Sequence, residues 1–260
     1  KIINIPYTLK SKFLKKNVEL EVFMPGHLTD YGKLNLLLFN DGQNAGPMQW
    51  EEHLSQLYGK GKIEAVAIVG IKASDDRLQE YGVAGQPDYL GRGAQATDYT
   101  KFITKELVPF IDKTISFPIN GKRVFAGCSL GGLSAFDIVW NNPGLFHAVG
   151  VFSGSFWWRK KDLKDGYSDG DRIAHQMVRD TSVKADLKFW LMTGTEDEKS
   201  DRNHNYIIDS IDDTIDLIKE LVKKGYKRPE EVFYFEMVGG EDNVTSWSNV
   251  LPAFLISATG

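Results

Sequence analysis

The chain is nearly devoid of cysteine, poor in histidine and without a long apolar run, and each shortage excludes something. The single Cys128 among 260 residues cannot form an internal disulfide, so cysteine usage assigns no redox compartment. No apolar stretch approaches the roughly 20 residues needed to cross a bilayer, which leaves no candidate membrane span. Basic residues are not in excess: 31 Lys and Arg against 35 Asp and Glu give a net charge of -4, so nothing in the charge calls for a nucleic-acid partner. There is no internal repeat, low-complexity tract or linker. The first residue is Lys1 rather than methionine and no signal-peptide pattern follows, which carries the expectation of a removed leader and of a secreted or periplasmic protein.

What is present fits one α/β domain over residues 1–260, a length that can bury a large core. Apolar, β-rich runs occur at 18–24, 34–39, 63–71, 123–126, 148–152, 187–193 and 232–238, mostly separated by helical patterns. Such alternation predicts a mostly parallel sheet. Tyr99, Phe102, Ile103, Leu107, Phe110 and Ile111 recur at helical spacing, with Pro109 expected to kink or tighten the last turns. A second amphipathic pattern runs from Ile207 to Val222 and stops at Lys223-Lys224-Gly225. The glycine-rich stretch 81–93 reads as one long loop, of the kind that covers active sites.

The run Val124-Phe125-Ala126-Gly127-Cys128-Ser129-Leu130-Gly131-Gly132 has the form of a nucleophile elbow: an apolar strand, Gly-x-Ser-x-Gly, then a helical pattern. The bland alternative is a tight structural turn, but the strand before, the helix after and the extra Gly132 favour an exposed Ser129 hydroxyl. Cys128 lies inside the motif but out of the attacking position and is read as a small buried filler. Acyl transfer also needs donors for the oxyanion. The Leu130 N–H is the first candidate, and the turn Asn40-Asp41-Gly42-Gln43-Asn44 offers the second, with Gln43 the preferred residue against a merely polar turn.

Four stretches together, Leu38 to Asn44, Glu106 to Ile111, Gly127 to Gly132 and Val149 to Trp157, resemble in content and order the putative esterase family of enterobactin-type, feruloyl and esterase D-type hydrolases. The resemblance covers nearly the whole chain. It implies an α/β-hydrolase fold, a mostly parallel central sheet flanked by helices, and hydrolysis of carboxylic esters with no cofactor required. It also implies a triad in the order nucleophile, acid, histidine. By the family's spacing the acid is Asp197, with Glu196 as runner-up and a solvated acidic turn as the alternative. Where the family carries Gly-Gly-Glu-His-Asn, this chain reads Gly239-Gly240-Glu241-Asp242-Asn243, and the flanks, including Trp247 and Leu251-Pro252, keep the register. Asp242 therefore occupies the histidine's place. A carboxylate of ordinary pKa, about 4, is a poor acceptor for a serine proton. None of the five histidines, His27, His53, His147, His175 and His204, lies in the right place in the chain.

Two further features carry expectations. Asp201, Asn203, Asn205, Asp209 and Asp212 stand at the first, third, fifth, ninth and twelfth positions of an EF-hand-like loop, which suits a structural calcium ion. Tyr206 stands where glycine normally permits the sharp turn, so a helix-capping polar loop is the competing reading. Trp157 and Trp158, just past a strand end, could stack on a sugar or aryl group, or pack beneath the loops. The partner expected is a small-molecule ester or carbohydrate. Two readings of function follow: a serine esterase for acylated carbohydrates or related esters, or a catalytically impaired relative that binds such ligands.

Overall fold

The computed structural model describes residues 1–28 and 32–259. Its strands are β1 (Ile2–Ser11), β2 (Lys16–Pro25), β3 (Leu34–Asn40), β4 (Ala65–Ile71), β5 (Arg123–Cys128), β6 (Ala148–Phe152), β7 (Lys188–Gly194) and β8 (Val232–Met237). Its helices are α1 (Trp50–Gly59), α2 (Arg77–Glu80), α3 (Ala96–Lys101), α4 (Val108–Thr114), α5 (Leu130–Asn141), α6 (Ile173–Asp180), α7 (Asp209–Lys223) and α8 (Val244–Thr259). The eight strands form one sheet in the order β1-β2-β4-β3-β5-β6-β7-β8. The β1–β2 and β2–β4 pairs are antiparallel and all later pairs are parallel. The mostly parallel sheet read from the sequence is therefore present.

Strand periodicity divides the core between the two faces of this sheet. On β3, Leu34, Leu36 and Leu38 join the cluster that includes Phe102, Ile103, Leu133, Phe136 and Leu217. Leu37 and Phe39 point the other way, into a cluster with Trp50, Leu54, Leu251 and Phe254. Successive side chains of a strand alternate faces, so an almost unbroken apolar strand can serve two helical layers at once. Cys128 falls in the second cluster, fully buried, and burial pushes its thiol pKa well up; it is the inert filler expected.

β1 is not apparent as an apolar run because it alternates half-buried and exposed residues between its two buried ends and contains Pro6. It is the edge strand of the sheet, and only an edge tolerates a residue that cannot donate to the ladder. Around Pro109 the helix does not tighten: the segment Phe102–Leu107 between α3 and α4 widens to a π-helical turn. Proline lacks an N–H and its ring crowds the carbonyl four residues back, and widening relieves both.

The register places the chemistry. Gly127 pairs with Val151, Cys128 with Phe152, Phe152 with Met192 and Gly194 with Met237. The parallel strands thus end together, and the segments after β3, β5, β6, β7 and β8 all emerge at one carboxyl edge, the usual ligand edge of an open α/β sheet.

Candidate active site

Ser129 sits between β5 and α5 with φ 53° and ψ -121°, a conformation rarely adopted by a residue with a side chain. The turn is possible because Gly127 has none: a Cβ there would lie 2.3 Å from the Gly131 oxygen. At Gly131 a Cβ would meet Asp41 Oδ2 at 2.9 Å, so the missing side chain lets the turn after β3 approach the first turn of α5. Gln43 and Leu130 each stand at the opening of a helical turn, where N–H groups have no carbonyl partner within the helix. Both expected oxyanion donors are thus brought to the carboxyl edge beside the elbow. The Gln43 side chain is engaged elsewhere: its Nε2 donates to Asp41 Oδ1 at 3.1 Å and its Oε1 accepts from the Ala73 N–H at 2.9 Å.

The Ser129 hydroxyl donates to Asp242 Oδ2 at 3.1 Å and lies 3.4 Å from Ser155 Oγ. Asp242 follows β8 and precedes α8, and the fold brings it to the nucleophile. The residue as a whole keeps an open surface while its carboxyl faces Ser129. Loss of water around that carboxyl, then the charge of Asp197, push its pKa up to about 7, opposed by the Ser129 hydrogen bond and the Arg77 charge. Water still reaches the residue, which limits the rise.

Asp197 follows β7, as expected of the acid. Its Oδ1 accepts from Ser153 Oγ at 3.0 Å and its Oδ2 from Ser210 Oγ at 2.7 Å. Burial raises its pKa, while the bonds from Ser210, the Gly194 backbone and Ser153 oppose the rise. Ser153 is itself held at φ 51°, buried beneath Trp247, whose indole N–H reaches its hydroxyl at 3.4 Å. Glu196, the alternative acid, is exposed. Ser153, Ser155 and Ser210 carry little signal in the sequence. The only signal for the first two was the small polar pair closing the Val149 to Trp157 stretch, and Ser210 had none.

The histidines are spent elsewhere. His147 accepts the Arg123 N–H at 3.0 Å at the starts of β5 and β6, the opposite edge of the sheet. His53 pairs with Ser248 at 3.1 Å. His175 is buried, bonded through Nε2 to the Asp213 carbonyl oxygen at 2.7 Å, with its pKa pushed down to about 3 by burial and Arg172. His204 is exposed at φ 57°.

The two tryptophans separate. Trp157 is partly open and lines a cavity of about 470 Å³ with Tyr89, Arg92, Arg159, Glu198 and Arg202, with the Arg92 guanidinium 4.9 Å from its ring centre. Trp158 is a correction: it is fully buried, packs over Gly82 and Gly93, and donates to the Gln86 carbonyl at 3.0 Å. No face of its indole is left for a ligand, so it serves the loop packing instead.

In the 201–212 loop, Asp201 accepts from the N–H groups of Asn205 at 3.1 Å and Tyr206 at 2.8 Å. Tyr206 adopts the left-handed φ of 67° that the sixth position demands, with its side chain 98% exposed. Asn203 and Asn205 donate side-chain amides to Asp212 Oδ2 at 3.1 and 2.7 Å, and Asp209 Oδ1 accepts the Arg202 N–H at 3.0 Å. Among the described residues no group of three or more His, Cys, Asp or Glu side chains is gathered as a metal would require.

The family model described as "Putative esterase" matches residues 11–258. "Uncharacterized protein YbbA" of Bacillus subtilis (strain 168) is 27% identical over 139 residues, 52% of this chain and 55% of that protein. The enterobactin esterase FES from Shigella flexneri, solved in the presence of enterobactin, superposes with a TM-score of 0.75 at 21% identity, covering 98% of this chain and 58% of that one. A ferulic acid esterase gives 0.70 at 19% identity, covering 100% and 98%. The chain thus spans little more than half the length of the first two, and at such identities the solved structures speak for the α/β-hydrolase-type fold alone.

Proposed function

The chain belongs to the putative esterase family, and on that premise we propose that it is a serine carboxylic-ester hydrolase in which Asp242 takes the proton of Ser129. The observation that carries this reading is the 3.1 Å hydrogen bond from Ser129 Oγ to Asp242 Oδ2. In the proposed step the hydroxyl proton passes to the carboxylate as Oγ bonds to the ester carbonyl carbon, and the N–H groups of Leu130 and Gln43 receive the oxyanion. Collapse breaks the bond to the alcohol, which leaves with the proton from Asp242. A water molecule, deprotonated by the same carboxylate, then releases the acid and Ser129. Proton transfer is most effective when the base titrates near the working pH, and burial beside Asp197 moves Asp242 toward that range.

For substrate, the cavity beside Trp157 offers room for a sugar or aryl group, which supports an acylated carbohydrate or related ester. The test is hydrolysis of p-nitrophenyl acetate by wild type, Ser129→Ala and Asp242→Asn. The reading requires Ser129→Ala to fall to background and Asp242→Asn to fall at least a hundredfold. Equal rates for wild type and Ser129→Ala reject it.

One observation favours a second reading, a ligand-binding relative with little turnover. Both Asp197 oxygens already accept hydrogen bonds, from Ser153 and Ser210, so the acid that would orient an imidazole has partners without one. Ester ligands bound by wild type with no Ser129-dependent turnover, and hydrolysis appearing only in Asp242→His, would support it.

A further inference from the structure

Arg77 belongs to none of the sequence motifs, yet its guanidinium meets Asp41 edge-on. Nε donates to Oδ1 at 2.8 Å and Nη2 to Oδ2 at 2.9 Å, a paired geometry that lysine cannot reproduce. Asp41 is buried and left-handed, at φ 59° and ψ 47°, a conformation that persists only where the surroundings enforce it. Tyr81, Gln43 and Arg77 supply those surroundings. The Asp41 N–H donates to the Tyr81 hydroxyl oxygen at 3.1 Å, and the Arg77 guanidinium lies 5.0 Å from the same ring's centre. Asp41 Oδ1 also accepts Gln43 Nε2, and Gln43 Oε1 accepts the Ala73 N–H. The turn carrying the Gly42 and Gln43 amides is therefore pinned to the segment after β4, with Arg77 as the charged pin. The same carboxylate lies against the first turn of α5, where only glycine fits at Gly131.

We propose that Arg77 is a positioning residue for acyl transfer: by holding the Asp41 carboxylate at the left-handed turn, it fixes the Gln43 N–H opposite the Leu130 N–H to receive the oxyanion. The inference rests on the serine-hydrolase reading above. Arg77 has a second influence, through its charge. The groups acting on Asp242 are Asp197 and Glu198, which disfavour its ionised form, and Arg77 and the Ser129 hydroxyl, which favour it. The two roles separate by substitution. Arg77→Lys keeps the charge and loses the fork, whereas Arg77→Gln loses both.

The experiment measures kcat and KM for p-nitrophenyl acetate across pH 5 to 9 in wild type, Arg77→Lys, Arg77→Gln and Ser129→Ala, with a melting temperature for each. Misplacing one oxyanion donor predicts a kcat loss of about ten- to a hundredfold in both arginine variants, with KM within about threefold of wild type. The midpoint of the pH–rate profile moves upward in Arg77→Gln and stays in Arg77→Lys, a split that a purely structural residue would not produce. If Arg77→Gln melts below the assay temperature, Arg77→Lys decides by the same kcat criterion. Arginine variants with wild-type kcat, alongside an inactive Ser129→Ala, overturn the inference and leave the hydrolase reading intact. A Ser129→Ala variant as active as wild type overturns the hydrolase reading, and the inference with it.

Discussion

Ser129 and Asp242, 113 residues apart in the chain, share a hydrogen bond of 3.1 Å at the carboxyl edge of the sheet. The partner of the nucleophile is thus a carboxyl group, and its neighbour across the site, Asp197, is another. The charge of Asp197 disfavours the ionised form of Asp242.

Ester hydrolysis is expected to rise with pH through a midpoint no higher than about 7, because only the ionised Asp242 accepts the serine proton. A rate profile of kcat/KM reads the free enzyme's base. Asp242→Asn should flatten it, and a sigmoid persisting in that variant would assign the base to another group.

Asp242→His puts an imidazole at the position that hydrogen-bonds the Ser129 hydroxyl. Hydrolysis of p-nitrophenyl acetate is expected to increase, because an imidazole replaces a carboxylate as the base, and the gain should disappear in Asp197→Ala. A gain independent of Asp197 would show that the imidazole is not held by that carboxylate.

The raised pKa of Asp242 makes a stability statement. Between the ordinary carboxylate value and about 7 the folded protein holds more protons than the unfolded chain, so this group's contribution to stability declines as pH rises across that window. Asp242→Asn should therefore melt above wild type at pH 8, by a few degrees at most since water reaches the residue, and alike at pH 4. A lower melting temperature at pH 8 would show that the charge is stabilised in the fold.

Trp157 and Trp158 should respond oppositely to truncation. Trp158→Ala opens a cavity in the core and is expected to cost about 3–5 kcal/mol in chemical denaturation. Trp157→Ala should cost under about 1 kcal/mol and raise KM for aryl or sugar esters, since its ring borders the cavity.

Calcium at the 201–212 loop is a proposal on spacing, to which the left-handed Tyr206 adds no obstacle. Asp201→Ala removes the acceptor of two backbone N–H groups and is expected to cost about 1–2 kcal/mol in EDTA. Wild type, and not the variant, should then gain melting temperature in millimolar calcium. No gain in wild type would leave the loop a polar lead-in to α7.

The sequence by itself determined the fold class, most strands of the sheet and the elbow, and raised the expectation that Asp242 stands where the family it resembles carries a histidine. Those features are local: apolar alternation, glycines flanking a strained serine, and an unbroken register from Gly239 to Leu251 can all be read along the chain. It did not reveal β1, whose edge position excuses Pro6, nor the difference between Trp157 and Trp158, which depends on what lies above each ring. Only the tertiary structure decided that the Asp242 carboxyl faces Ser129, that Ser153 and Ser210 occupy Asp197, and that Arg77 grips Asp41. The physical reason is distance along the chain. A pKa, a hydrogen bond and an ion pair are set by neighbours in space, and here those neighbours come from separate segments that meet only where the parallel strands end together.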